Sequence, residues 1–266
     1  MEILIGADPE LFLRHNGVNV SGHGLIPGSK RHPHPVPGGA VQVDGTALEF
    51  NIEPASNEEE FITNIQCVLE QLRQMIPQEY QFDMSAVAAY EAEYFRELPA
   101  VVKEMGCDPD FDAYSGIEIE HKAGNQPFRT AAGHIHIGWT NDEDPFSAAH
   151  YQSCRTLAKE LDIWLGLPSV LFDPESAPRR QLYGRAGSFR PKPYGLEYRV
   201  MGNWWIDNEK ATRLVYRTAY KGFMDLAVKG QNHYNGFGTK AKSIIDEGSR
   251  YNAKTYLNHH NYEWAL

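Results

Sequence analysis

Apolar and polar residues alternate with a period of two in several short segments of the chain. In a strand, residues i and i+2 share a face. In GADPELFL, Leu11 and Leu13 oppose Asp8 and Glu10. In TALEFNIEP, Leu48, Phe50 and Ile52 oppose Glu49, Asn51 and Glu53. In GHIHIG, Ile135 and Ile137 oppose His134 and His136. In YGLEYRVMG, Leu196, Tyr198 and Val200 oppose Glu197 and Arg199. The pattern predicts strands at residues 2–6, 9–14, 40–44, 46–53, 80–89, 116–121, 133–139 and 195–201.

Helical spacing appears elsewhere. Ser56 and Glu59 have the S-x-x-E form of a capping box. Phe61, Ile62, Ile65, Val68, Leu69, Leu72 and Ile76 follow on one face, and Pro77 stops the run. Further helices are predicted over residues 145–165, 208–229 and 240–247. Runs of strands interrupted by helices indicate an α+β fold, with a curved antiparallel or mixed sheet covered by helices on one face. Two stretches read as irregular. Residues 21–39 are rich in Pro, Gly and His, and residues 173–194 carry Pro174, Pro178, Pro191 and Pro193 among several arginines. With no repeat and no long linker, residues 1–266 read as one domain.

Composition narrows the function classes. Hydrophobic residues at 42% and charged residues at 23% fit a chain with a packed core rather than a disordered one. The 25 Lys and Arg against 35 Asp and Glu leave a net charge of −10, which disfavours generic DNA or RNA binding. The three cysteines, Cys67, Cys107 and Cys154, lie far apart, which fits a reducing compartment and excludes a zinc site built on cysteine alone. The start MEILIGADPE shows no leader, and the apolar stretch near residues 163–172 is too short and broken to span a bilayer. The expectation is a cytoplasmic protein.

The polar strand faces carry the chemistry. Alternation alone fits strands with one face in water. The residue types do not, because several carboxylates gathered on one sheet face repel one another unless cations intervene. Carboxylate oxygens with imidazole suit Mg²⁺ or Mn²⁺. Arg179, Arg180, Arg185, Arg190, Lys192 and Arg199 form a basic run in an otherwise acidic chain. Guanidinium forks match phosphate or carboxylate oxygens, so the run suggests an anionic substrate.

Taken in order, an acidic pair on the first strand, a D-G-x-x-x-E strand, a G-H-x-H strand and a late E-x-R strand resemble the glutamine synthetase/glutamate–cysteine ligase superfamily. The opening G-A-D-P-E-L-F resembles its phage-type COOH–NH2 ligase (amidoligase) branch. The resemblance spans residues 5–205. It implies a glutamine synthetase-like catalytic fold and a ligase that uses ATP and Mg²⁺ or Mn²⁺. Such a ligase phosphorylates a carboxylate and lets an amine attack the acyl phosphate to form an amide. By the same resemblance Asp8, Glu10, Glu49, Glu53, His134 and Glu197 would be metal ligands. His136 would face the ATP phosphates. Arg190 and Arg199 would contact phosphate, and Arg185 with them the transferred phosphoryl group or the substrate carboxylate.

There are departures. Asp-Pro-Glu stands where Glu-x-Glu is commoner, and the spacing leaves open which of Asp44, Glu49 and Glu53 binds metal. No segment matches the glutamate- or ammonia-specific loops of glutamine synthetase, so the implied partners are small-molecule or peptide carboxylates and amines, without nucleic acid or membrane. A metal-dependent hydrolase and a non-catalytic phage structural or binding protein are the alternative readings. The arginine run counts against the first and the full polar set against the second. The His-Pro repeat at 32–35 and the pair His259–His260 read as exposed rather than as zinc ligands. Glu118, Glu120 and His121 could join the polar face, and Trp139, Trp204 and Trp205 read as packing residues or as a platform for a base.

Overall fold

The computed structural model describes residues 3–103, 109–120, 127–173, 176–237 and 239–260. Cys107, His121 and Pro174 lie outside them. The first half contains β1 (Leu4–His15), β2 (Val18–Val20), β3 (His34–Val36), β4 (Gly39–Asp44), β5 (Ala47–Ile52), α1 (Glu58–Met75), β6 (Tyr80–Asp83), β7 (Val87–Ala89), α2 (Ala92–Glu97) and α3 (Ala100–Lys103). Then follow β8 (Phe111–Asp112), β9 (Phe128–Thr130), β10 (Gly133–Gly138), α4 (Ala148–Leu161), a π turn (Asp162–Gly166), α5 (Leu167–Phe172) and α6 (Ser176–Leu182). The chain continues with β11 (Ser188–Lys192), β12 (Gly195–Tyr198), α7 (Glu209–Ala227), α8 (His233–Phe237), α9 (Lys240–Glu247) and α10 (Arg250–His259).

The main sheet runs β3-β4-β5-β1-β10-β12-β11-β8, with β2 and β6 flanking the second half of β1. Its strand pairs are antiparallel, so the fold is α+β as expected. The inward residues Leu11, Leu13, Leu48, Phe50, Ile135, Ile137, Leu196 and Tyr198 are all buried, with Phe61, Ile65, Leu157, Leu161, Val215 and Phe223 of the helices in the same core. Burying this face is the main driving force for the layer. The opposite face carries a second, smaller core at one end only. There Phe12 and Ala47 pack with Ala88, Tyr90, Phe95 and Ala131 from the β7–β9 ribbon and α2. That cover closes one end of the polar face and leaves the other end open.

Several boundaries differ from the alternation pattern. The predicted strands 2–6 and 9–14 are one strand, because Pro9 falls where β1 continues without a break. The stretch 80–89 splits between two sheets. In place of a strand at 116–121, the described residues have a single bridge from Glu118 to Phe111. Residues 173–194 are not irregular throughout; they hold α6 and β11. α10 is also additional, capped by Ser249 and buried through Ala253, Tyr256 and Leu257. At α1 the cap is one residue later than S-x-x-E suggests. Asn57 accepts from the Glu60 amide, and Glu60 reaches back to Ser56. Glu59 instead pairs with Arg213 of α7.

The π turn brings Asp162 under the sheet, fully buried. Its carboxylate accepts from the Tyr114 hydroxyl at 2.7 Å, the Tyr198 hydroxyl at 2.7 Å and the Gly187 amide at 3.1 Å. Burial raises the carboxyl from its ordinary range to about 7, against the opposing pull of those donors. An unfolded Asp titrates near 3.9, so the folded chain binds this proton more tightly. The stability contribution therefore falls as pH rises from about 4 to about 7, then levels off. Asp162→Asn is expected to flatten this part of the thermal-stability profile between pH 4 and 7. An unchanged pH slope in the variant would show that Asp162 is not its source.

Candidate active site

The strand register assembles the polar face in rows. Gln42 of β4 is opposite Glu49 of β5, and Glu49 is opposite Glu10 of β1. Asp8 of β1 is opposite His134 of β10. His136 of β10 is opposite Glu197 of β12, which is opposite Arg190 of β11. Pairs directly opposite lie close enough for their side chains to interact. A diagonal band of titratable groups therefore crosses six strands.

Two groups of three could each hold a cation. One is Asp8, His136 and Glu197; the other is Glu10, Asp44 and Glu49. Within each, one ligand atom per residue falls within 4.8 Å of the others. In the first group, His136 Nε2 is 3.0 Å from Asp8 Oδ1. Both atoms are buried, and the same Asp8 oxygen lies 3.2 Å from His134 Nδ1. The other ring nitrogen, Nδ1, is 2.5 Å from the Tyr194 hydroxyl. Burial pushes the Asp8 carboxyl up, but His136 and then His134 outweigh it and hold it well below the usual carboxylate range. A buried carboxylate oxygen against an imidazole nitrogen, beside a second carboxylate, offers a donor set that fits a hard divalent ion.

The second group is more strongly charged. Glu10 is fixed by the Ala132 amide, which donates to Oε2 at 2.9 Å. The Gln42 amide donates to Glu49 Oε2 at 2.6 Å. Burial and then Asp44 raise the Glu10 carboxyl to about 8. Burial, followed by Asp8, Glu10 and Asp44, raises that of Glu49 well above its ordinary value. Three carboxylates this close cannot all ionise without a cation, so their types and placement also fit a divalent ion.

The cations stand at the other end of the band. Arg190 donates to Glu197 Oε2 at 3.1 Å and to Asp110 Oδ1 at 3.0 Å. Arg199 pairs with Asp110 at 2.7 Å and with Glu197, and Lys192 is 3.0 Å from Glu197. His134 sits between Asp8, at 3.2 Å, and Glu197, at 3.5 Å. Burial and then Arg199 lower its pKa against the opposing pull of Asp8 and Glu197.

Beyond Asp8 the face opens into a cavity of about 650 Å³. β1 pairs with β5 at Glu10 and Leu11, and Ile5 of β1 bridges Ala55, three residues beyond the end of β5. The cavity lies along both chains between these points. Its lining includes Gly6, Ala7 and Gly138, with Trp139, Tyr194 and Asn51 around them. The small residues leave it open: a Cβ on Gly6 would meet only His136 Cβ at 3.6 Å and Pro54 Cα at 4.0 Å.

Most of the candidate residues come together here: Asp8, Glu10, Glu49, His134, His136, Arg190, Glu197 and Arg199, with the two histidines exchanged, since His136 rather than the expected metal ligand His134 belongs to a three-ligand group. Two do not. Glu53 follows the last residue of β5 and is exposed, outside both groups. Arg185 is exposed, donates to the carbonyl oxygens of Arg180 and Gln181 at 3.3 Å, and lies apart from both three-ligand groups. Arg179 and Arg180 are fully buried in α6, donating to the Val200 carbonyl and the Ser169 hydroxyl; they belong to the core rather than to a solvated loop. Asp44, left open by spacing, joins Glu10 and Glu49. Asp110 carries no sequence signal, because it precedes a two-residue strand in a segment without periodicity. His32, His34 and His259 are exposed, and Trp205 is wholly buried beside Phe61.

A comparison with curated proteins gives no significant match. Among solved structures the chain is similar to a bifunctional glutathione synthetase from Pasteurella multocida. Identity is 12% and the TM-score 0.48, over 98% of this chain and 49% of that one; the chain spans about half the length of that protein. Residues 112–221 match the family model described as phage phiEco32-like COOH·NH2 ligase, type 2. The matched stretch contains His134, His136, Arg190, Glu197 and Arg199 and stops short of Asp8, Glu10 and Glu49. The stretch that holds the H-x-H and E-x-R strands is thus similar to a phage-type COOH–NH2 ligase, the resemblance its motifs suggest.

Proposed function

We propose that the chain is an ATP-dependent carboxylate–amine ligase that works with Mg²⁺ or Mn²⁺ through an acyl phosphate. The observation that supports this best is the pairing of two three-ligand groups, one of two carboxylates with an imidazole and one of three carboxylates, on one sheet face with an adjoining open cavity. The family name supports amide formation, and the site supplies the means for phosphoryl transfer. The whole chain acts as one catalytic domain in this reading, since strands from residues 4–52 and 133–198 build one sheet. We place it in the cytoplasm, that of the host if the chain is phage-encoded. No helix among the described residues is long and apolar enough to cross a membrane.

Asp8, His136 and Glu197 would hold one divalent ion and Glu10, Asp44 and Glu49 a second. Such ions neutralise phosphate oxygens and the charge that develops in transfer. His136 would ligate through Nε2 and donate Nδ1–H to the Tyr194 oxygen, which fixes the ring. The cavity at Gly6, Ala7 and Gly138 would take the base of ATP, with Trp139 and Tyr194 at its edges and Asn51 within reach of ring nitrogens. Asp8 and Glu10, through the ions they would hold, would then face the triphosphate. Arg190 and Lys192 flank the opposite side and can turn a donor to an oxygen of the transferred group. A substrate carboxylate oxygen attacks the γ-phosphorus and ADP leaves. The amine nitrogen attacks the carbonyl carbon, phosphate leaves, and the nitrogen gives up a proton to complete the amide.

Calorimetry tests the binding step. ATP should bind with Mg²⁺ or Mn²⁺ present and weaken at least tenfold, on the order of what loss of a site-ordering group costs, in Asp8→Asn. Absence of ATP binding under all these conditions would sink the proposal.

A further inference from the structure

The segment from Gly28 to His32 presses a tight turn onto the acidic end of the site. Gly28 has φ of 92°, and a Cβ there would collide with the Val41 carbonyl oxygen. Ser29 and His32 exchange two backbone hydrogen bonds, at 3.0 and 2.9 Å, and Ser29 also bridges Val43 of β4. Only Lys30 and Arg31 remain between them, at the tip. Lys30 reaches over to put Nζ 3.2 Å from Asp44 Oδ2. Asp44 is the outer member of the Glu10–Asp44–Glu49 group. A buried acceptor beside that group also stands unused: Gln42 gives its amide hydrogens to Glu49, while its Oε1 has no hydrogen-bond partner and the residue is 6% exposed.

We propose that Lys30 is a tethered counter-cation of this group, one that yields the Asp44 carboxylate to a divalent ion. The inference rests on the reading of Glu10, Asp44 and Glu49 as a cation site. One ammonium cannot neutralise three carboxylates, whereas a divalent ion brings twice the charge and takes oxygen ligands, the Gln42 carbonyl included. Lys30 and the ion need the same Asp44 carboxylate. The lysine side chain is 45% exposed on a flexible stem, so it can swing into solvent. The anchored turn keeps it near, where it sets the affinity of the site and stands ready for an anionic substrate that arrives with the ion.

The test uses Mn²⁺ alone, without nucleotide, in an Asp8→Asn background that removes a ligand of the first group. Lys30→Met in this background should bind Mn²⁺ about threefold to tenfold tighter, since a half-exposed competing charge is lost. In the otherwise intact protein, the rate at which an amine-reactive reagent labels Lys30 should rise several-fold on adding Mn²⁺. Equal Mn²⁺ affinity with and without Lys30, or labelling that ignores Mn²⁺, would overturn the role of Lys30. If Asp44→Asn leaves Mn²⁺ binding intact in the same background, the cation site itself fails, a distinguishable result.

Discussion

Glu49→Gln should lower ATP-dependent ligation by about 10²- to 10³-fold, the scale on which a group that stabilises developing charge is lost, while leaving the fold at least as stable as before. The two halves of this expectation have one cause. Burial and the neighbouring acids hold the Glu49 carboxyl well above its ordinary pKa, so its ionised form is disfavoured in the folded chain. Such a group reduces stability as pH rises above the ordinary carboxylate range, because the unfolded chain loses the proton first. Glutamine keeps the shape, removes the charge and can accept the Gln42 amide through its own oxygen. The gain in melting temperature should therefore appear on going from pH 4 to pH 8, and Mg²⁺ should narrow it by stabilising the parent. Glu197→Gln should lose as much activity but also lose stability. Glu197 is 1% exposed and carries the pairs with Arg190, Lys192 and Arg199, and stripping one side from a buried charge cluster costs about 3–5 kcal/mol. Turnover unchanged in both variants would remove these residues from the chemistry.

Gly6→Val is the second strong expectation. A β-branched residue suits a strand interior, and the Cβ at Gly6 meets no atom closer than 3.6 Å, so the variant should fold normally. Its two methyl groups would fill the floor of the cavity where the base is placed. Affinity for ATP should fall by about 10- to 100-fold with little change in melting temperature, since filling a ligand pocket costs the contacts that shape it. Calorimetry with ATP and Mg²⁺ reads this directly. Unchanged affinity would move the base out of this cavity and leave the cavity to the acceptor amine or the carboxylate.

The alternation of Asp8 and Glu10, His134 and His136, and Glu197 and Arg199 was legible because a pleated strand fixes side-chain direction. All six do share the face opposite Leu11, Ile135 and Tyr198. Glu53 shows where that logic stops. β5 ends at Ile52, and one residue further on the pleat no longer dictates direction. Asp44 was ambiguous for a related reason, since it closes a strand at a turn, and only its pairing with Ala47 shows which way it faces. Sequence adjacency misled for the arginines. Arg179, Arg180 and Arg185 belong to α6 and the turn after it, where helical geometry sends two inward and one to the surface. Arg190 and Lys192 face the site because residues 188–192 are a strand that Pro191, the neighbouring Pro193 and a run of charges disguised. Asp110 and Lys30 sit in irregular segments and depend on long-range packing for their place.

Product analysis tests the central claim most directly. The protein is incubated with ATP, Mg²⁺ and pools of carboxylates and amines, and nucleotides, phosphate and condensed products are followed by mass spectrometry. Activation through an acyl phosphate predicts ADP and phosphate in equal amounts with a product one water lighter than the acid and amine combined, all three lost in Glu49→Gln. AMP and pyrophosphate with the same product, or an amide bond cleaved without any use of ATP, would contradict it.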